Sequence, residues 1–295
     1  LILDAISYED SWLKEETKMK CLKKFSEHSL NFHNHYSVTY NTMGNVAALL
    51  SGLSPTLTKV IGRHHGYEKN IYGYLQHDLK KIDCSTHLMT PAKFIYSPDP
   101  NYKLDFDSFS ALSPSSAEHR VSAEQLNNQI YFKKVDELSS LKNYFLTLHY
   151  IDCHEPYESP INNKLINRFK FPNIRKFLFF NENIFYRIPR RILRLYLKPS
   201  TILNNIYTYK KYPFLKVLKP NSQGPLLSPE RYNNFYNECW KNENLLKEFI
   251  QMKLLATEYL DQQISNFLNY IKENYAKDTI IFFSSGPGEH GVLST

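Results

Sequence analysis

The sequence predicts an α/β domain built on a doubly wound, mainly parallel sheet with helices on both faces. Three observations carry this. Apolar runs at Leu1–Asp4, Asn143–Ile151 and Thr279–Ser284 read as strands, and segments of helical periodicity separate them. Strands alternating with helices imply parallel pairing. A run without polar alternation, such as NYFLTLHYI, needs cover on both faces, which two helix layers provide.

In chain order, Leu1–Asp4 reads as the end of a strand. Ser11–His28 is expected to be a helix, because Trp12, Leu13, Met19, Leu22 and Phe25 recur at helical spacing. LNFHNHYSV, from Leu30 to Val38, alternates as a half-buried strand does. Thr42–Leu50 is expected to be helical, with Thr42 as N-cap and Gly52 closing it. Ile71–Ile82 is a further candidate helix, Cys84–Met89 and Phe94–Tyr96 are short candidate strands, and Ser108–Ala123 is expected to be loop. An irregular stretch runs to about Ser228. Glu230–Tyr275 then gives the strongest helical signal, its apolar residues falling near one stripe. Thr279–Ser284 follows as a buried strand ending at Gly286-Pro287-Gly288.

Composition bounds the possibilities. At 295 residues, with 42 % hydrophobic and 22 % charged, the chain can bury a full core and is too apolar to be disordered over most of its length. No apolar run approaches the ~18 residues of a membrane span, and no signal peptide is visible. The opening Leu1-Ile2-Leu3-Asp4 reads as mid-strand, so a fragment of a longer protein is expected and the compartment stays open. Cys21, Cys84, Cys153 and Cys239 are widely spaced without a C-x-x-C pair, which points to buried thiols rather than a zinc site or a disulfide framework.

Charge is concentrated in one place. Between Ile161 and Pro220 fourteen Lys/Arg face the single acid Glu182, a net +13 that leaves −6 for the rest of the chain. This basic, aromatic-rich insertion is set at about 158–228. Its stretch Arg187–Lys198 mixes cations with apolar and aromatic side chains. A solvated surface insertion explains it most simply. A lid resting on anionic lipid headgroups or an acidic glycan comes next, and single-stranded nucleic acid last.

Three positions suggest chemistry. Asp4 follows three apolar residues, and a carboxylate at a strand's carboxyl end suits a hard divalent cation; it equally suits a turn or cap. Thr42 opens a helix, where the dipole and free N–H groups favour a tetrahedral anion; a plain helix cap is the alternative. His154, in Leu148-His149-Tyr150-Ile151-Asp152-Cys153-His154-Glu155-Pro156-Tyr157, sits with a phenol at a strand edge and could hold an anion or protonate a leaving oxygen; a loop histidine is the alternative. Ligands of open parallel sheets bind at the carboxyl ends of the strands, so the three could meet.

Taken together and in order, these segments resemble the sulfatase family of the alkaline-phosphatase-like superfamily, including its phosphoethanolamine and phosphoglycerol transferase relatives. LILDAISYEDSW resembles the first strand with its metal-binding Asp. NTMGNVAALLSGLSP resembles the sulfatase signature, LTLHYIDCHEPY the His-x-Pro-Tyr element, and YLDQQISNFLNYIKENYAKDTIIFFSSGPGEHG the helix, strand and Ser-Asp-His-Gly-Glu segment. The resemblance implies one alkaline-phosphatase-like domain over 1–295, with Asp4 and Thr42 at a divalent metal (Ca, Mg or Mn), Thr42 as nucleophile and His154 on the anion. It implies a sulfatase-like ester hydrolase or phospho-group transferase acting on an anionic, glycan- or lipid-linked ester, in a family often secreted or membrane-attached. A catalytically lapsed relative, binding an anionic partner through the basic insertion, is the alternative.

The chain departs from the family pattern in three places. Thr42 cannot mature to formylglycine, which starts from Cys or Ser, so direct attack by the hydroxyl replaces aldehyde chemistry. Val46 stands where the signature has Arg. Gly286 and Pro287 stand where the family has its Asp-His ligand pair, flanked by the matching Ser285, Gly288, Glu289 and His290.

Overall fold

The computed structural model describes residues 1–7, 10–39, 41–60, 73–91, 93–96, 104–111, 121–154, 157, 171–174, 237–275 and 279–288. Most of the basic insertion, with Glu289 and His290, lies outside them.

Five strands form one sheet: β1 (Ile2–Ala5), β2 (Ser85–Thr90), β3 (Ser108–Ala111), β4 (Tyr144–Tyr150) and β5 (Ser284–Gly288). Their order is β3-β2-β4-β1-β5, and all four neighbouring pairs are parallel, as the strand–helix alternation predicts. Strand periodicity sends Ile2 and Leu3 to opposite faces. Leu3, Leu148 and Tyr150 join a core with α1 (Lys20–Ser26), α6 (Ala123–Leu126), α7 (Phe132–Leu138) and the long α8 (Glu243–Tyr275). Ile2 and Leu88 join a second core with α2 (Thr42–Ser51), α5 (Lys93–Tyr96) and Tyr74, the residue before α4 (Leu75–Lys80). A short helix, α3 (Pro55–Thr58), follows α2. The sheet is thus covered on both sides, and the α/β class stands.

Several elements differ from the sequence expectation. Leu30–Val38 is an exposed loop, not a strand. Its alternation has no neighbouring strand to pair with, because the sheet ends at β3 on one side and β5 on the other among the described residues. The expected helix over Ser11–His28 shrinks to α1, since Ser11–Lys18 forms turns in which Trp12 packs edge-on against Phe283. In place of an intrahelical start, α1 has the carboxylate of Asp261, on α8, accepting from the backbone N–H groups of Cys21 and Leu22. Phe94–Tyr96 is helical, and Ser108–Ala111 is the edge strand β3 rather than loop.

The candidate helix over Ile71–Ile82 is α4, Leu75–Lys80, among the described residues. Ala123–Leu138 is a helix with a π turn at Asn127–Tyr131, opened by a Ser122–Gln125 capping box. Expected strand Thr279–Ser284 slides to Ser284–Gly288, leaving Ile280 and Phe282 exposed. All four cysteines are free thiols, but only Cys153 and Cys239 are buried. Among the described residues no helix is long and apolar enough to cross a membrane.

Candidate functional site

Asp4 lies at the carboxyl end of β1, between β4 and β5, and is 1 % exposed. The backbone turns sharply just past it. Ala5 has φ +62, a left-handed conformation that costs a non-glycine residue about 1 kcal/mol, and the pairing with β5 shifts register between Leu3 and Ala5. Such local strain is held by surrounding structure and gathers at functional sites.

Thr42 reaches the same point from α2. The N-cap is Asn41, whose side chain accepts from the N–H groups of Met43 and Gly44, so the expectation of a Thr42 cap is corrected by one residue. An amide cap leaves the Thr42 hydroxyl free. It donates to Asp4 Oδ1 at 3.2 Å. The positive end of the helix dipole favours the carboxylate there. α2 can approach closely because residue 44 is glycine: a Cβ there would stand 2.7 Å from Thr39 Cγ2 and 2.8 Å from the Val60 carbonyl oxygen. Val46, one turn on, is buried in the apolar core under α2, where an arginine's charge would be stranded.

A histidine the motifs had passed over completes the group. His149 pairs with Ile2 in the β4–β1 register and is fully buried on the Asp4 side of the sheet. Its Nε2 lies 3.9 Å from Asp4 Oδ2 and has no hydrogen-bond partner among the described residues. Nδ1 is 3.4 Å from the Thr90 hydroxyl, and the ring of Tyr96 meets the imidazole edge-on at 5.6 Å. Burial lowers the His149 pKa to about 4, against the pull of Asp4 and with a smaller push from His154, so the imidazole is neutral near pH 7. The sequence did carry a signal: a histidine inside an unbroken apolar strand must be buried.

His154 itself is exposed past the β4 tip. Tyr157 does not share its edge. It is fully buried, has φ +59, and packs against Phe249 with ring centroids 5.0 Å apart. The structure therefore gathers Asp4, Thr42 and His149, with His154 outside them.

Gly286 closes the fourth side. A Cβ at Gly286 would stand 2.5 Å from Asp4 Oδ1, so the backbone of β5 presses directly on the carboxylate. The sulfatase family generally uses a divalent metal. Hard cations take several oxygen ligands. Here one carboxylate oxygen receives Thr42, the other faces a neutral imidazole, and the position of a second carboxylate is glycine in contact with the first. No group of three His, Cys, Asp or Glu side chains suited to a metal exists among the described residues. These residues do not fit the family's cation.

Comparison with known proteins agrees with the fold. Residues 201–292 match the family model described as Sulfatase, which supports the sulfatase family of the alkaline-phosphatase-like superfamily. The matched stretch takes in α8 and β5 with Gly286, but not Asp4, Thr42, His149 or His154. No curated protein matches the chain.

Proposed function

We propose that this sulfatase-family chain, of the alkaline-phosphatase-like superfamily, acts on an anionic ester bound at the N-terminus of α2, as an ester hydrolase or phospho-group transferase with Thr42 as the attacking group. The observation that carries the reading is the hydrogen bond from Thr42 Oγ1 to Asp4 Oδ1 at a helix N-terminus. Thr42 Oγ1 attacks sulfur or phosphorus while its proton passes to Asp4. The bond to the leaving oxygen breaks, and exposed His154 protonates that oxygen. Water or an acceptor hydroxyl then takes the group from Thr42 Oγ1, which recovers its proton from Asp4 while His154 takes the proton of the incoming hydroxyl. The helix N-terminus holds the anion as charge builds on it. Substrates linked to surface glycans or lipid headgroups suit the +13 between Ile161 and Pro220.

A second reading is favoured by Gly286, which removes a ligand position and leaves Thr42 without a metal to activate it. On that reading the fold is retained for binding an anionic partner. Turnover of generic sulfate and phosphate esters separates the two. Activity that falls by about a hundredfold or more in Thr42→Ala, as loss of a nucleophile does, supports the enzyme. Activity equal in both chains refutes Thr42 as the attacking group, and none in either supports the lapsed domain.

A further inference from the structure

We infer that Asp4 is held in place by Thr42 and His149 instead of by a divalent cation, so that this pocket folds, and receives its ligand, without calcium, magnesium or manganese. The inference deepens the reading above at the same site. It rests on the family placement and the geometry, and not on turnover.

Asp4 is nearly sealed from water, and a sealed carboxylate needs partners for both oxygens. One partner is the Thr42 hydroxyl at 3.2 Å. The other side is His149, whose Nε2 is fully buried and has no hydrogen-bond partner among the described residues, 3.9 Å from Oδ2. Its ring is fixed by the contacts of Thr90 and Tyr96 already described, so the nitrogen is aimed, not adrift. A small closure of this gap gives Asp4 its second donor. The β5 backbone at Gly286 occupies the remaining side, where any side-chain ligand would overlap Oδ1. The same glycine that deletes a ligand thus lets β5 cover the carboxylate. In this arrangement His149 is a positioning residue: it acts on substrate only by orienting Asp4 toward Thr42.

The test uses the full chain and the metals alone. After treatment with chelator, the protein is titrated calorimetrically with calcium, magnesium and manganese, and its thermal midpoint is read with and without each. A ligand specific for the folded state raises the midpoint as its concentration passes its Kd, so the expected result up to about 1 mM metal is no saturable heat and an unchanged midpoint.

Saturable binding that Asp4→Asn abolishes overturns the inference. Binding that survives Asp4→Asn lies elsewhere and upholds it. Should Asp4→Asn fail to fold, Thr42→Val serves as the second variant and is read the same way. A double-mutant cycle of Asp4→Asn with His149→Gln supplies a readout that simple packing does not move: non-additive midpoints are expected, and additive ones refute the pairing. Turnover is read separately. Activity in chelator upholds both proposals. Silence toward esters and metals alike removes the enzyme while leaving this inference standing.

Discussion

Gly286→Ala tests the closure of the site with a single methyl group. The added Cβ would stand 2.5 Å from Asp4 Oδ1, roughly 0.7 Å inside an ordinary carbon–oxygen contact. Asp4 cannot turn away freely, because Oδ1 accepts from Thr42 and the side chain is buried beside His149. Relieving the overlap breaks the Thr42 hydrogen bond, and a bond to a charged group contributes about 1.5–3 kcal/mol. Against this, replacing glycine in a strand by alanine gains about 0.5–1 kcal/mol from the unfolded state. The net expectation is a loss of about 1–2 kcal/mol. Urea unfolding of Gly286→Ala and wild type, read at constant m-value, measures it. The same substitution made on a Thr42→Val background should cost less, since the bond is already gone. A neutral or stabilised Gly286→Ala refutes the contact between β5 and Asp4.

Two further outcomes are expected. Gln76 is fully buried on α4, and among the described residues neither its amide nitrogen nor its oxygen has a hydrogen-bond partner. Gln76→Leu should therefore stabilise the fold by about 1 kcal/mol, seen as a raised urea midpoint, and a lowered one contradicts the burial. His87 bridges β2 and β3 through the hydroxyls of Ser108 at 2.6 Å and Ser85 at 3.1 Å. Burial lowers its pKa, Lys134 lowers it further, and Asp107 opposes both. The unfolded chain therefore takes up this proton first as pH falls, and stability is lost on going below about pH 6.5. A His87→Asn variant should show a flatter loss in that window, and an unchanged slope excludes the linkage.

How much was legible in the sequence follows from what each signal reports. Unbroken apolar strands and a long helical stripe report burial on two faces, so β4, α8 and the α/β class were readable. Alternation over Leu30–Val38 reports only a possible face; whether a partner strand exists is decided by the sheet, and among the described residues none does. Asp4 and Thr42 were readable because strand tips and helix starts converge in this architecture, and the structure brings their side chains within 3.2 Å. For His149 the apolar strand signalled burial but not its place beside Asp4, which depends on the β1–β4 register, a long-range fact that no local pattern holds. The Asn41 cap was missed for a smaller reason. Asn and Thr are both good caps, and only the backbone angles, with Asn41 extended and Thr42 helical, assign the duty.

Pro287 belongs to β5, the outermost described strand beyond β1. A free strand margin is a template on which another chain can extend the sheet, and the exposed Ile280 and Phe282 just upstream would make such growth adhesive. Proline has no N–H to offer an incoming strand, so it interrupts that template within a few residues. Among the described residues, then, the outer side of β5 offers no unbroken run of N–H donors to a neighbouring strand.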